Sequence, residues 1–219
     1  MRVWQTIRTP VLLRHVHKQA YAALVLSGRY EEAGDSGRHR VEAGDVILHE
    51  AFEAHMDRFS PSRAEILNLS LPAKSVFRSG ASRIDDPDAI VRLAEKSDSE
   101  AAALLLSLAK TRKPEVRDWP DELAASLAKN PCLDVPRWRE AKRISVWDLS
   151  RGFGKVFGIS PRAFRAHART RQALRAIRTA DASLVDIAAQ FGFADQAHMT
   201  RSVKNLTARC PGAWRLACK

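Results

Sequence analysis

Apolar positions along this chain follow two rhythms, and the change from one to the other comes near residue 85. Up to about residue 72 they alternate or run in short blocks: Val11-Leu12-Leu13, Tyr21 to Leu26, Val46-Ile47-Leu48 and Ala64 to Leu71. Gly28, Gly34-Asp35, Gly37, Gly44-Asp45 and Pro61 punctuate these blocks. That pattern predicts turns between short antiparallel strands of a small barrel or sandwich. From Asp85 onward the spacing becomes three and four: Ile90, Leu93 and Ala94, then Ala101, Leu104, Leu105 and Leu108. These are amphipathic helices. The stretch from Ala101 to Leu108 is short and very apolar; it fits core packing, with a dimer face as the rival. Lys110 to Pro114 is a polar joint, and a third helix is expected from Asp121 to Ala128, acidic at its start, with Pro131 just past its end.

The last third of the chain is one pattern written twice, 50 positions apart. With Asp195 set under Ser145, Met199 falls under Leu149, Arg201 under Arg151, Val203 under Phe153, Pro211 under Pro161, Ala213 under Ala163 and Trp214 under Phe164. In the second copy Ser183 caps a helix whose apolar face is Leu184, Ile187, Ala188 and Phe191, and Gly192 ends it where a left-handed residue is needed. Asp195 caps the next helix, with Met199, Val203 and Leu206 inward. Two short helices joined by a tight turn containing glycine make a helix-turn-helix. Rotation by about 100° per residue then sets Ala197, Arg201 and Lys204 opposite the buried stripe, with Gln196 and Thr200 on the flank. Such a short, polar, basic face suits the major groove of DNA. His198 is expected at the groove edge or in solvent.

In the first copy Trp138 and Ala141 supply the first helix's apolar face. Ser145 caps the second helix, with Asp148 three residues on. Leu149, Phe153 and Val156 or Phe157 face inward, and Trp147, Ser150, Arg151 and Gly154 outward. Ser160-Pro161 opens a long helix to about Ala180, lined inside by Phe164, Ala168, Leu174 and Ile177 and studded outside with arginines, among them Arg169 and Arg171, both candidates for phosphate contact. That helix would hold the two reading helices at a fixed spacing.

Charge sharpens the picture. Residues 136–219 hold 17 Lys and Arg against 5 Asp and Glu, a net of +12, whereas residues 1–135 hold 19 against 20, a net of −1. The whole excess of the +11 chain thus lies with the repeat, the footprint of a polyanion binder confined to one module. Cys132, Cys210 and Cys218 are few and lack metal-finger spacing, which fits a reduced cytoplasm. The chain shows neither a secretory start nor an apolar run long enough for a bilayer, so no membrane association is expected.

The stretch Ile187-Ala188-Ala189-Gln190-Phe191-Gly192-Phe193-Ala194-Asp195-Gln196-Ala197-His198-Met199-Thr200-Arg201, followed by Pro211-Gly212-Ala213-Trp214-Arg215, resembles the signature of the AraC/XylS family of bacterial transcription regulators. The resemblance implies two helix-turn-helix units whose reading helices enter successive major grooves. It implies base-facing positions at Val146, Trp147, Ser150 and Arg151 in the first unit, and at Gln196, Ala197, Thr200 and Arg201 in the second. The first copy departs from the pattern. Lys142 stands where the turn usually has glycine, costing about 1 kcal/mol if left-handed, and Gly152 and Gly154 weaken its reading helix by a similar amount each. Val203 and Ser202 replace a more usual aromatic and its neighbour. The second unit is therefore expected to be the better formed.

The N-terminal part is similar, more loosely, to a cupin barrel, the usual sensor of that family. His15-x-His17, Gly28, Gly44-Asp45 and His55 have about the right order. A metal-binding cupin would want a carboxylate near Tyr21, and none is there, although His15, His17 and His55 could hold a zinc-like ion or simply line a pocket. The segment is also short for a full barrel.

The resulting expectation is an α+β chain: a cupin-like sensor at 1–72, a helical linker or dimerisation region at 73–113, and a double helix-turn-helix domain at 114–219. It would be a non-enzymatic, cytoplasmic transcription regulator without a cofactor. Its partners would be double-stranded DNA, a small-molecule effector, a second copy of the chain and, for an activator, RNA polymerase. The rivals are a cupin-type metal-binding protein or enzyme with a basic tail, and a non-specific nucleic-acid-compacting protein.

Overall fold

Two long strands carry the first half of the molecule. A computed structural model describes residues 2–72, 75–113 and 117–216; Pro114 and Cys218 lie outside them. Strands β1 (Arg2–Ile7), β2 (Val11–Val16), β3 (Tyr21–Gly34), β4 (Gly37–Glu42), β5 (Asp45–His49), β6 (Ala54–Ser70), β7 (Gly80–Arg83) and β8 (Lys110–Thr111) form one antiparallel sheet. The order is β1-β6-β3-β5-β7-β8. β3 and β6 pair along nearly their whole lengths, and each takes two further partners end to end: β1 and β2 share β6, while β5 and β4 share β3.

Gly28 and Pro61, expected at turns, lie inside β3 and β6. The register of this pair slips between Val25 and Ser27 and again between Gly28 and Tyr30. Gly28 adopts φ +79°, and a Cβ there would come within 2.3 Å of the Arg63 carbonyl oxygen. Only glycine permits that close crossing. Pro61 lies in β6 between the residues that pair with β2 and those that pair with β1. Bulges thus let two continuous strands bend where turns were expected.

Alternate side chains of the sheet enter two apolar clusters. Ala23, Val25, Ile47, Phe59 and Ile66 pack on one face with Tyr30 and Val41. Leu24, Val46, Leu48, Leu67 and Leu69 pack on the other with Ile84, Ile90, Ala101, Ala102 and Leu105. The last four belong to α1 (Pro87–Ala94) and α2 (Asp98–Leu108). Residues 75–113, the described part of the 73–113 segment expected to be a helical linker or dimerisation region, belong to the first unit: two helices cover one sheet face and two short strands extend its edge. The apparent shortness of the barrel has the same explanation. Ala101, Ala102 and Leu105 are core, not a dimer face.

The chain divides at Arg117/Asp118. The second unit is all helix: α3 (Trp119–Lys129), α4 (Val135–Ala141), α5 (Val146–Phe157), α6 (Pro161–Thr179), α7 (Leu184–Gln190), α8 (Gln196–Thr207) and α9 (Pro211–Leu216). α6 is its axis. Its buried face is Phe164, Ala168, Ala173, Leu174 and Ile177. Phe153 and Phe157 of α5 pack their rings against Phe164 at 5.4 and 5.5 Å. Of the two residues offered for that inward position, Phe157 takes it. No described helix is long and apolar enough to cross a membrane.

Candidate functional site

Each repeat begins its helices with the same device. Ser145 Oγ accepts from the Asp148 amide and donates to its carboxylate at 2.6 Å. Ser183 does the same with Asp186. Ser160 and Asp195 cap α6 and α8 through the amides of Ala163 and His198. Each cap satisfies an orphan helix donor and is worth about 1 kcal/mol. Because the caps fix where α5 and α8 start, they also fix which side chains face outward.

The turns differ in detail. In the second unit Gly192 is left-handed, as expected, with φ +69°. In the first, Lys142 keeps right-handed angles and serves as the C-cap of α4; the left-handed residue is Arg143, φ +55°. α4 runs one residue further than its counterpart, which moves the strained position by one. Arg139 steadies this turn by donating to the Ile144 carbonyl at 2.8 Å. The penalties are also more evenly shared than the sequence suggests. α5 ends on Gly158 in the left-handed region, but α8 ends there on Ala208, φ +60°, a conformation that costs a residue with a Cβ about 1–2 kcal/mol.

Most of the residues expected to face outward on α5 and α8 are exposed. Val146 and Trp147 are 64% and 76% exposed, and Ser150 and Arg151 are exposed beside them. Gln196, Ala197, Arg201 and Lys204 are exposed on α8, and Thr200 is half-buried. Met199 and Val203 are fully buried below. Leu206 is only half-buried; Thr207 takes the last inward position and accepts a hydrogen bond from Trp214 Nε1 at 2.9 Å. Wheel reasoning passed over this residue because threonine breaks the apolar stripe.

Gly152 has a tertiary reason to exist. A Cβ there would come within 2.5 Å of Trp119 Cζ2, so α3 and α5 touch at this point only because the side chain is absent. Gly154 has nothing nearer than 3.9 Å.

Of the two arginines offered to phosphate, Arg171 is half-buried on α6, and Arg169 is engaged within the domain. Arg169 Nη1 donates to the Gly192 carbonyl at 2.8 Å, and its guanidinium lies 4.4 Å from the centre of the Phe193 ring. It clamps the turn of the second unit to α6. His198 meets the same ring edge-on at 5.3 Å.

A second group of residues converges in the first unit. His15 and His55 are directly paired across β2 and β6, their Nε2 atoms 2.9 Å apart. His17 follows β2, with ring centres 4.9 Å from His15 and 5.4 Å from His55. The three therefore come together, as their order in the chain suggested. The carboxylate that no neighbour of Tyr21 supplies comes from Glu32, further along the same strand. Its Oε2 is 2.9 Å from His55 Nδ1 and 3.4 Å from His49 Nε2. Sequence reasoning missed both Glu32 and His49. The available signal was register: Tyr21 pairs with His49, and Gly34 with His55.

Electrostatics here are strongly coupled. Burial opposes charge on Glu32, but the charges and hydrogen bonds of His49 and His55 outweigh it and hold the acid well below its usual range. Burial also opposes charge on His49, yet Glu32 and then Glu53 raise its pKa. Burial, followed by repulsion from His55 and His15, lowers His17 to about 4. Burial and the Glu32 charge lift Asp57 to about 7 against the pull of His55. The Tyr21 ring stacks on His49 at 4.5 Å, and its hydroxyl lies 3.3 Å from His55 Nε2.

The all-helical unit, with two capped helix-turn-helix elements on a common axis, defines a class of DNA-binding domain. Residues 140–217 match the family model described as a helix-turn-helix domain. The chain is 40% identical over 52 residues to the HTH-type transcriptional regulator ExsA of Pseudomonas aeruginosa, a match covering 24% of this chain and 19% of that protein. The C-terminal part of the chain is thus similar to the helix-turn-helix domains of transcription regulators, and the chain spans about a fifth of the length of that curated relative. Among solved structures, apo ToxT K231A from Vibrio cholerae is similar over 100% of this chain and 98% of its own at 10% identity (TM-score 0.46). A probable AraC family regulator from Rhodopseudomonas palustris is similar over 45% of this chain and 94% of its own at 17% identity (TM-score 0.41).

Proposed function

We propose that this chain is a sequence-specific transcription regulator that seats α5 and α8 in successive major grooves of duplex DNA. The observation that carries the reading is the pair of exposed faces on two helices braced against one axis. Val146, Trp147, Ser150 and Arg151 lie on the first; Gln196, Ala197, Thr200, Arg201 and Lys204 on the second. α6, with 19 residues, is about 28 Å long at 1.5 Å per residue, which is comparable to one turn of the duplex. Arg151 and Arg201 read guanine through bidentate bonds to O6 and N7. Trp147 meets sugar or base edges, and the surplus arginines draw the domain to phosphate.

In this reading the first unit is a cupin-like sensor and the protein works in the cytoplasm as a regulator, not a catalyst. A small effector, a second copy of the chain and RNA polymerase are the further partners it implies. The test is selection of bound sites from random duplex DNA by the full chain. A bipartite site with half-sites about 10 base pairs apart is the expected result. Enrichment of no sequence, with equal competition by random duplexes at every salt concentration, would leave only non-specific binding.

A further inference from the structure

We infer that a cavity of about 620 Å³ in the first unit is a binding site for a small organic anion with at least two acidic groups, gripped by Arg29, Arg40, Arg58 and Arg112. That volume suits a metabolite-sized ligand. Strand register builds the site. Arg40 of β4 and Arg58 of β6 both stand opposite Glu31 of β3, one on each side. Arg29 lies two residues back along β3, opposite Glu42. The residues in between, Tyr30, Val41 and Phe59, pair with one another and enter the apolar cluster of Val25 and Ile47. By the same alternation Glu32 and His55 belong to that apolar face, and the arginines to the opposite one. The cavity is therefore separate from the histidine cluster. Arg112, just past β8, comes to the same cavity and donates to Asp45 at 2.7 Å.

Three carboxylates, Glu31, Glu42 and Asp45, also line the cavity, but two of them are already shared between arginines. Asp45 is buried and accepts from Arg83 at 3.0 Å, from Arg112 and from the Glu42 amide at 3.1 Å. Glu31 accepts from Arg117 at 2.5 Å and lies 3.5 Å from Arg40. Arg83 and Arg117 thus offset two acids of the wall from outside it. The cavity is left positive, although residues 1–135 carry a net charge of −1. Burial lowers the pKa of Arg58, and the Arg38 charge adds to this against the pull of Glu31. An anion in the cavity would offset both effects. Guanidinium forks match the paired oxygens of carboxylate and phosphate groups. Arg40 and Arg58 flank β3 on neighbouring strands, so their backbones stand roughly 10 Å apart and one carboxylate cannot engage all four arginines. Arg112 and Arg117 belong to the segment by which the chain leaves the first unit, and their bonds to Asp45 and Glu31 tie it to the sheet. An occupant that engages Arg112 acts on that segment, which gives the small effector of the proposed function a place and a chemistry. The effector role rests on the regulatory reading; the binding itself does not.

The test uses the full chain without DNA, so failure of this site and failure of the DNA-binding reading are told apart. Citrate and pyrophosphate are titrated calorimetrically at low ionic strength, with acetate as the single-acid control and glucose as the neutral one. One site per chain is expected for citrate, pyrophosphate or both, in the micromolar to low-millimolar range. The tighter of the two tells a polycarboxylate ligand from a phosphate ligand. Acetate should bind at least about tenfold more weakly, and glucose not at all. Arg29 and Arg40 are exposed, so the double variant Arg29→Gln/Arg40→Gln should melt close to the parent while losing about tenfold or more in affinity. Glu42→Gln removes a negative charge from the wall and should tighten binding roughly two- to fivefold. Absence of binding by both citrate and pyrophosphate overturns the inference. So does binding that survives undiminished in Arg29→Gln/Arg40→Gln, which places the anion elsewhere on the chain, or acetate binding as tightly as citrate.

Discussion

The guanidinium of Arg169 reaches from the middle of α6 to the carbonyl of Gly192, 2.8 Å away, and caps the Phe193 ring as it passes. One side chain thereby ties the axial helix to the left-handed residue that sets the angle between α7 and α8. Arg169→Ala should cost about 1–3 kcal/mol of stability, the range for a charged hydrogen bond with a cation–π contact. Lysine should restore little of it, because a point charge cannot stack and donate together. Removal of a phosphate contact would reduce the slope of log affinity against log salt by about 0.9. Bracing the turn instead predicts weaker DNA binding with an unchanged slope, and binding isotherms at four salt concentrations decide between the two.

The two glycines of α5 should respond in opposite directions. Gly154→Ala meets no obstacle and should stabilise by about 0.5–1 kcal/mol through helix propensity. Gly152→Ala places a methyl 2.5 Å from the Trp119 ring and should destabilise by about 1–3 kcal/mol despite the same propensity gain. Denaturant melts of the two variants make the comparison; equal effects would show that α3 does not pack on α5 as described.

Ala208 and Gly158 occupy equivalent left-handed C-caps. Ala208→Gly should therefore stabilise by about 1 kcal/mol and Gly158→Ala destabilise by a similar amount. A melting temperature that falls in Ala208→Gly would contradict the φ assigned to that residue.

On the reading face, Arg151→Ala and Arg201→Ala should each cost about 1–3 kcal/mol of specific binding and relax base preference at one half-site. Trp147→Ala removes an exposed ring, so stability should stay within about 0.5 kcal/mol while DNA affinity falls. Titration of a fixed selected duplex with each variant, beside its thermal melt, checks both halves of this expectation.

What the sequence determined by itself was everything that depends on short-range pattern. Caps at Ser145, Ser160, Ser183 and Asp195, the left-handed Gly192, and the outward faces of α5 and α8 follow from helical periodicity and local hydrogen bonding, whose partners lie three or four residues apart. The helical domain is built almost wholly from such relations, so little of its site was hidden. The first unit is different. Gly28 and Pro61 signal a break in a strand's pairing, but only the partner strand decides whether that break is a turn or a bulge. The apolar helices at 87–108 could cover the sheet or another chain, and only the packing of Ile90, Ala101 and Leu105 against Leu24 and Leu67 settles which. Glu32 and His49 joined the histidines through strand register between distant segments, and Arg169 met Gly192 across 23 residues. Non-local pairings of this kind leave no periodicity to read, because each depends on how the intervening chain folds back.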